Sequence, residues 1–300
     1  MTYAMIDIGS NTVKMTVYAA DKTLLKKYTH PTSLLSYIED GALTAIGVAR
    51  LIGTLADFKA KAEKETDAAI FAYATASLRG LTNCDAVTRA VKDALGITID
   101  MVSGEEEAKL SFDGIAAVSG KDPYSHTVFD LGGGSLEVAA IKSGALRAHS
   151  FPVGALAMYL RFVENILPTK DEIFSIYHHV QTLAKSVSLP VRQGEALAVG
   201  GTLRALSHIL AHQKGEKYDE NKPFTITREE AIDFLSQIAR GDKATKLLLI
   251  DLEPKRIHTV ATGLCAFLAL LDLTDHDAFC VVSGGTREGY LEKIIKQESL

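Results

Sequence analysis

The sequence predicts an α/β protein made of two similar halves, and three observations carry that prediction. Short apolar strand-like runs alternate with longer segments whose apolar residues recur at helical spacing. The string Asp7-Ile-Gly-Ser-Asn-Thr-Val-Lys14 returns in outline as Asp130-Leu-Gly-Gly-Gly-Ser-Leu-Glu137, a strand, an aspartate, a turn and a second strand each time. The two copies lie about one domain length apart in a chain of 300 residues, enough for two domains of ~100–200 residues each. Asp and Gly are ordinary hairpin-turn residues, so one copy would mean little. Two copies, each heading a half rich in strands and helices, argue for duplication.

Taken in order, Tyr3–Ile8 is short and apolar and stops at Gly9-Ser10-Asn11. Val13–Tyr18 is β-rich, and Leu24–Tyr28 suits a third strand. From Gly41 to Lys64 an apolar stripe through Ile46, Ala49, Leu51, Ile52, Leu55 and Phe58 predicts a helix. Ala68–Ala74 reads as a buried strand, Asp85–Leu95 as a helix closed by Gly96, and Ile97–Val102 as a strand. Ser103 opens a helix to about Val118, and Lys121-Asp122-Pro123 is the expected linker. The pattern then restarts with strands at Thr127–Asp130, Leu136–Ile141 and Leu146–Phe151, the last after a turn at Gly144. Helical stripes follow at Asp171–Val187 and Arg228–Arg240. Two strands, Glu195–Val199 and Ala278–Val282, run into Gly-Gly-Thr helix starts, one reaching His212 and the other spanning Arg287–Lys296. The expected domains are 1–122 and 123–286, with the segment 287–300 returning to the first.

Composition limits the function. At 47% hydrophobic and 23% charged the chain has ample material for a packed core. Its longest apolar stretch, Val260 to Leu271, falls well short of the ~20 residues a bilayer span needs, so no membrane association is expected. The N-terminus lacks the basic region of a signal peptide, and three scattered cysteines in no CxxC pair suit a reducing cytoplasm. Lys and Arg total 32 against 37 Asp and Glu, with net charge −5 and no basic tract. Broad binding to nucleic acid is therefore not expected, and any polyanion must be recognised locally.

The turns offer that local recognition. A strand, a Gly-rich turn and a strand expose successive backbone N–H groups that bind anions. Asp7 and Asp130 stand at the strand ends beside those turns. Carboxylates repel phosphate but make sense holding a hydrated Mg²⁺ that neutralises it. No GxxxxGK[ST] loop or GxSxG elbow occurs. In Ser103-Gly-Glu-Glu-Glu-Ala108, a capping box and the helix dipole account for Glu105 and Glu106. A carboxylate fixed at that helix start also suits a general base acting on water. Arg79, after Ala74-Thr-Ala-Ser-Leu, is either solvated or a two-pronged grip on phosphate. Val199-Gly-Gly-Thr202 and Gly284-Gly-Thr-Arg287 are helix starts suited to a phosphate or nucleotide edge. His178, His179, His208 and His212 have no third metal ligand in view and read as helix-surface residues.

In order along the chain, Asp7-Ile-Gly-Ser-Asn11, Ala74-Thr-Ala-Ser-Leu-Arg79 with Asn83, Ser103-Gly-Glu-Glu-Glu-Ala108, Asp130-Leu-Gly-Gly-Gly-Ser135 with Glu137, Val199-Gly-Gly-Thr202 and Gly284-Gly-Thr-Arg-Glu-Gly289 resemble the Ppx/GppA phosphatase family. These are exopolyphosphatases and guanosine pentaphosphate phosphohydrolases of the sugar kinase, Hsp70 and actin superfamily. The resemblance implies duplicated actin-like (ribonuclease H-like) domains, and hydrolysis of a terminal phosphate in a cleft between them. It makes Glu107 the catalytic base, and Asp7, Asp130 and Glu137 the acids that hold a divalent metal and organise water. It makes Arg79 the phosphate-gripping arginine, and Ser10, Asn11, Gly133, Gly134 and Ser135 the phosphate loops. Mg²⁺ or Mn²⁺ is the implied cofactor, polyphosphate or a phosphorylated guanosine nucleotide the substrate, and a homodimer is among the assemblies it allows.

The sequence departs from the family pattern at Lys14, at Leu136 where a Thr is usual, and at Thr32-Ser33-Leu34-Leu35, where an arginine is usual. These changes remove polar contacts and bear on substrate length and rate more than on fold. With no basic track to hold a long anion, the expected action is distributive and favours short polyphosphates. A kinase of the same superfamily and a non-catalytic polyphosphate or nucleotide sensor are the rival readings.

Overall fold

The computed structural model describes residues 2–65, 68–191 and 194–298. The chain forms two compact units, Met1–Ser103 and Gly104–Leu300. In the first, strands β1 (Thr2–Ile8), β2 (Thr12–Ala19) and β3 (Leu24–Pro31) form an antiparallel meander. A small hairpin, β4 (Ile38–Glu39) and β5 (Ala42–Leu43), precedes helix α1 (Ala45–Glu65). Strand β6 (Ala69–Ala74), helix α2 (Cys84–Leu95) and strand β7 (Ile99–Met101) complete the unit. The sheet order is β3-β2-β1-β6-β7, with β1, β6 and β7 parallel. Strand alternation decides what faces the core. Ala4, Ile6 and Ile8 of β1 and Val13, Met15 and Val17 of β2 pack with Leu51, Leu55 and Phe58 of α1. Asp7 therefore falls on the opposite face of the sheet.

The second unit opens with helix α3 (Gly104–Val118), followed by the meander β8 (Thr127–Leu131), β9 (Leu136–Lys142) and β10 (Ala145–Phe151). Helices α4 (Ala155–Phe162) and α5 (Lys170–Lys185) lead to strand β11 (Ala196–Val199) and helix α6 (Gly201–Gln213). Then come β12 (Phe224–Thr227), α7 (Arg228–Ala239), α8 (Lys243–Leu252), α9 (Val260–Leu271), β13 (Ala278–Val281) and α10 (Thr286–Glu298). The sheet order is β10-β9-β8-β11-β13-β12. Setting aside the antiparallel edge strand β12, the two sheets share one order, an antiparallel meander whose first strand continues into two parallel strands. The duplication expected from the two aspartate turns is thus present in the topology.

One face of the second sheet carries Phe129, Leu131, Leu136, Val138, Ala196 and Ala198 against α9. The other carries Val128, Ala139, Leu197 and Val199 against Ala108, Phe112 and Ile115 of α3. Alternation puts Asp130 on the same face as Val128, and Glu137 on the same face as Ala139. Both carboxylates therefore point to the α3 side.

Several elements differ from expectation for identifiable reasons. The stripe read as helix from Gly41 begins at Ala45, because Asp40 and Gly41 both adopt positive φ in the turn of the β4–β5 hairpin. The stretch 121–123 lies inside the second compact unit, which begins at Gly104. Helix α3 is held there by α10. A Cβ on Gly114 would sit 2.0 Å from the Gly285 carbonyl oxygen, and one on Gly289 would sit 1.9 Å from that of Leu110, so the two backbones pack with no side chain between them. The expected segment 287–300 extends past the described residues. The apolar stretch Val260–Leu271 is a wholly buried helix, and no helix among the described residues is long and apolar enough to cross a membrane.

Candidate active site

In the first unit, Asp7 is the penultimate residue of β1 and stands directly opposite Lys14 on β2. The turn closes with a Gly9 N–H to Thr12 C=O bond of 3.2 Å. Gly9 is required there, because a Cβ would lie 2.8 Å from that oxygen. The buried Ser10 and the half-buried Asn11 follow. The segment Thr32-Ser33-Leu34-Leu35 lies across this turn. Ser33 donates its N–H to the Asn11 carbonyl (2.9 Å) and its Oγ to Asn11 Oδ1 (3.2 Å), and Leu35 N–H reaches the Ser10 carbonyl (3.4 Å). Ser33 does this from a left-handed conformation, φ 47°. With Oδ1 so engaged, the amide nitrogen of Asn11 points away from Ser33.

Arg79 follows β6, the parallel neighbour of β1. Ser77 Oγ donates to the Ile8 carbonyl, which ties the Arg79 loop to the end of the Asp7 strand. Arg79 Nη1 donates to the Val102 carbonyl at 3.2 Å. Asn83 precedes α2 where a helix cap is expected, but its side chain bonds both the N–H (3.0 Å) and the C=O (2.9 Å) of Leu43. It thereby pairs with β5 as a strand would. The first unit brings Asp7, Ser10 and Asn11 into one hairpin and anchors the loop of Arg79 to it.

In the second unit the loop Gly132–Ser135 is gripped by a helix start. The Gly132 carbonyl accepts from Ala155 N–H (3.0 Å), that of Gly133 from Leu156 (2.9 Å) and Ala157 (3.0 Å), and that of Gly134 from Gly154 (3.2 Å). These bonds satisfy first-turn donors of α4 that no intrahelical acceptor reaches. In a trans peptide the N–H points opposite to the C=O. The N–H groups of Gly133, Gly134 and Ser135 therefore point away from α4, and among the described residues none of them donates to a backbone carbonyl. Such a run has the donor pattern that suits an anion. Gly154 makes the grip feasible, since a Cβ there would sit 2.4 Å from Ser135 N.

The three-glutamate run separates by environment. Glu105 is exposed, Glu106 accepts from Lys293 Nζ of α10 at 2.8 Å, and Glu107 is buried at 6% exposure. Ser111, one turn beyond Glu107 on α3, donates its Oγ to Asp130 Oδ2. Thr286, the first residue of α10, reaches the same oxygen at 3.1 Å. Glu137 is buried at 1% exposure directly opposite Asp130, and its Oε1 accepts from Ser150 Oγ at 2.6 Å. The second unit thus carries Asp130 and Glu137 on the sheet face that α3 covers, with the buried Glu107 one turn before Ser111 on that helix. Sequence reading singled out all of these. It missed Ser111, although its spacing from Glu107 was a usable signal, and it took Thr286 only as part of a helix start.

The two Gly-Gly-Thr helix starts do different work. At α6, a Cβ on Gly201 would sit 2.1 Å from an Arg256 guanidinium nitrogen, and Arg256 Nη1 reaches Thr202 Oγ1 at 3.4 Å. Burial and the neighbouring Arg204 cation pull Arg256 down to about 10. At α10, the glycines pack on Gly114 and Thr286 turns to Asp130. His208 bonds Glu253 (2.9 Å) and stacks on Tyr218, whose hydroxyl burial pushes up to about 12.

Among the described residues no group of three or more His, Cys, Asp or Glu is placed to hold a metal ion. A cation here would have one or two carboxylates and complete its shell with water and substrate oxygens, which is how Mg²⁺ binds. Asp130 fits such an ion, because the Glu137 carboxylate stands directly opposite it, a like-charge arrangement that is unfavourable by itself.

Two sheets of one strand order, each headed by an aspartate-bearing hairpin, define the duplicated actin-like α/β class. Within that class the chain belongs to the Ppx/GppA phosphatase family, whose model matches residues 20–298. It is 26% identical over 309 aligned residues to the guanosine-5'-triphosphate,3'-diphosphate pyrophosphatase of Vibrio vulnificus, an alignment taking in 98% of this chain and 59% of that protein. The fold is that of an exopolyphosphatase from Cytophaga hutchinsonii (TM-score 0.83, 18% identity, covering 99% of this chain and 98% of that one). It is likewise that of the Aquifex aeolicus Ppx/GppA family member (TM-score 0.79, 23% identity, covering 100% and 99%).

Proposed function

We propose that this protein hydrolyses the terminal phosphate of a short inorganic polyphosphate or of a guanosine pentaphosphate-like nucleotide. The observation that carries the reading is the second-unit arrangement. A buried carboxylate, Glu107, lies one helical turn from the hydroxyl bonded to Asp130, and the strand of Asp130 runs into a loop whose three N–H groups turn away from α4. In this reading the N–H groups of Gly133, Gly134 and Ser135 hold the terminal phosphoryl oxygens. Asp130 in the second unit and Asp7 in the first are the acids assigned to Mg²⁺ or Mn²⁺, and Ser10, Asn11 and Arg79 of the first unit are assigned to phosphate. The cation, when bound, neutralises phosphate charge.

Glu107 takes a proton from water, the water oxygen bonds to the terminal phosphorus, and the bridging P–O bond breaks, leaving a chain one phosphate shorter. Glu137 orients the water. Positioning and charge neutralisation then supply most of the catalysis, as a loose phosphoryl transition state requires. The net charge of −5 favours short chains and distributive action, since each further phosphate unit needs its own neutralisation.

The test is phosphate release from polyphosphates of several lengths and from guanosine pentaphosphate, with Mg²⁺ or Mn²⁺ and with chelator. The reading expects release that chelator abolishes, and a gradually shortening ladder from a long chain. ADP and a phosphorylated acceptor formed from ATP would mark a kinase. Tight binding without turnover would mark a sensor.

A further inference from the structure

We infer that Ser111 and Thr286 are positioning residues that turn Asp130 into a one-oxygen ligand, an inference that rests on the hydrolase reading above. Oδ2 of Asp130 takes both hydroxyls, Ser111 Oγ from α3 and Thr286 Oγ1 from α10, and these two oxygens lie 2.8 Å apart. Two hydroxyl protons serve three close oxygen pairs, so at most two of the three contacts are hydrogen bonds at once. Either both hydroxyls donate to the carboxylate, or one donates to it and accepts from the other. In both arrangements Oδ2 is engaged from the protein side and Oδ1 is the oxygen left for a cation or a water.

The placement of Ser111 is unusual for its residue type. A serine in a helix interior commonly bonds back to the carbonyl four residues earlier, yet this one, wholly buried, is bonded to Asp130 and Thr286. The clamp is also rigid. Gly114, Gly285 and Gly289 bring α3 and α10 to backbone distance, so neither hydroxyl shifts without the other. Glu107 stands on the same α3 face about one turn, ~6 Å along the axis, before Ser111. One helix therefore fixes both the proposed base and the acid that faces the cation.

Outer partners of this kind typically govern metal affinity by about 10–100-fold. The test titrates Mn²⁺ alone, without substrate, against the full-length protein, reading free Mn²⁺ by electron paramagnetic resonance. Ser111→Ala and the isosteric Thr286→Val are each expected to weaken Mn²⁺ binding about tenfold or more, whereas Thr286→Ser, which keeps the hydroxyl, restores it. With a short polyphosphate the Mg²⁺ concentration for half-maximal rate should rise in the same order, while KM for polyphosphate stays nearly constant. Lower melting temperatures with unchanged Mn²⁺ affinity would assign both hydroxyls a structural role and overturn the inference. So would a wild-type chain that binds no Mn²⁺. If Ser111→Ala does not fold, the Thr286 pair alone decides. Wild-type Mn²⁺ binding without phosphate release would sink the hydrolase reading and leave the clamp to be judged by the titrations.

Discussion

The two hairpin turns of this molecule have one topology and opposite construction. The first, Gly9–Asn11, is held by a loop. Ser33 and Leu35 bond its carbonyls, Ser33 bonds the Asn11 side chain, and Lys14 stands opposite Asp7. The second, Gly132–Ser135, is held by the start of α4, with hydroxyls on Asp130 and a carboxylate, Glu137, opposite it. Opposite charges facing each other across two strands attract, and two opposed carboxylates repel. Duplication preserved the hairpin while the halves diverged in charge. The second turn is the one flanked by two opposed carboxylates, and its aspartate bonds the serine one turn beyond the buried Glu107.

The largest expected effect lies with that glutamate. Glu107→Gln should lower kcat by ~10²–10⁴-fold while substrate binding persists, whereas Glu105→Gln, on the exposed side of the same turn, should change little. Equal losses in steady-state kinetics would break the distinction between the two sides of α3. Next comes the grip on the second turn. Gly154→Ala places a Cβ within 2.5 Å of three loop backbone atoms, which cannot yield as a flexible side chain would. Urea denaturation should show a loss of ~3 kcal/mol. A near-neutral result would mean that α4 does not brace the loop.

The first turn should respond more gently. Ser33→Ala forfeits one partly buried hydrogen bond and keeps the left-handed backbone, for a loss of about 1 kcal/mol. Ser33→Gly forfeits the same bond but relieves a backbone cost of ~1 kcal/mol, so its midpoint should stay near that of the wild type. If the two variants melt alike, the strain at Ser33 has no energetic weight.

Much of this was legible in the sequence because it is local. The strand–Asp–Gly–strand pattern located both hairpins, and the acid run located the start of α3. What escaped depends on contacts distant along the chain. Asn83 has the residue type and position of a helix cap, but its amide is drawn to Leu43, whose strand offers both a donor and an acceptor. Ser111 resembles any small helical residue until α10 brings Thr286 beside it. Helix α9 could be read only as an apolar stretch, since a helix buried on every side has no polar face to show its period. Strand β5 was absorbed into the α1 stripe and β4 went unread, because each is only two residues long.

In the proposed reaction, water activated by Glu107 attacks the terminal phosphorus. Hydrolysis of a short polyphosphate in ¹⁸O-labelled water, followed by mass analysis of both products, tests it most directly. The released orthophosphate is expected to carry one labelled oxygen and the shortened chain none, with a label-incorporation rate that falls with Glu107→Gln. Label in the shortened chain, or incorporation undiminished in Glu107→Gln, would contradict it.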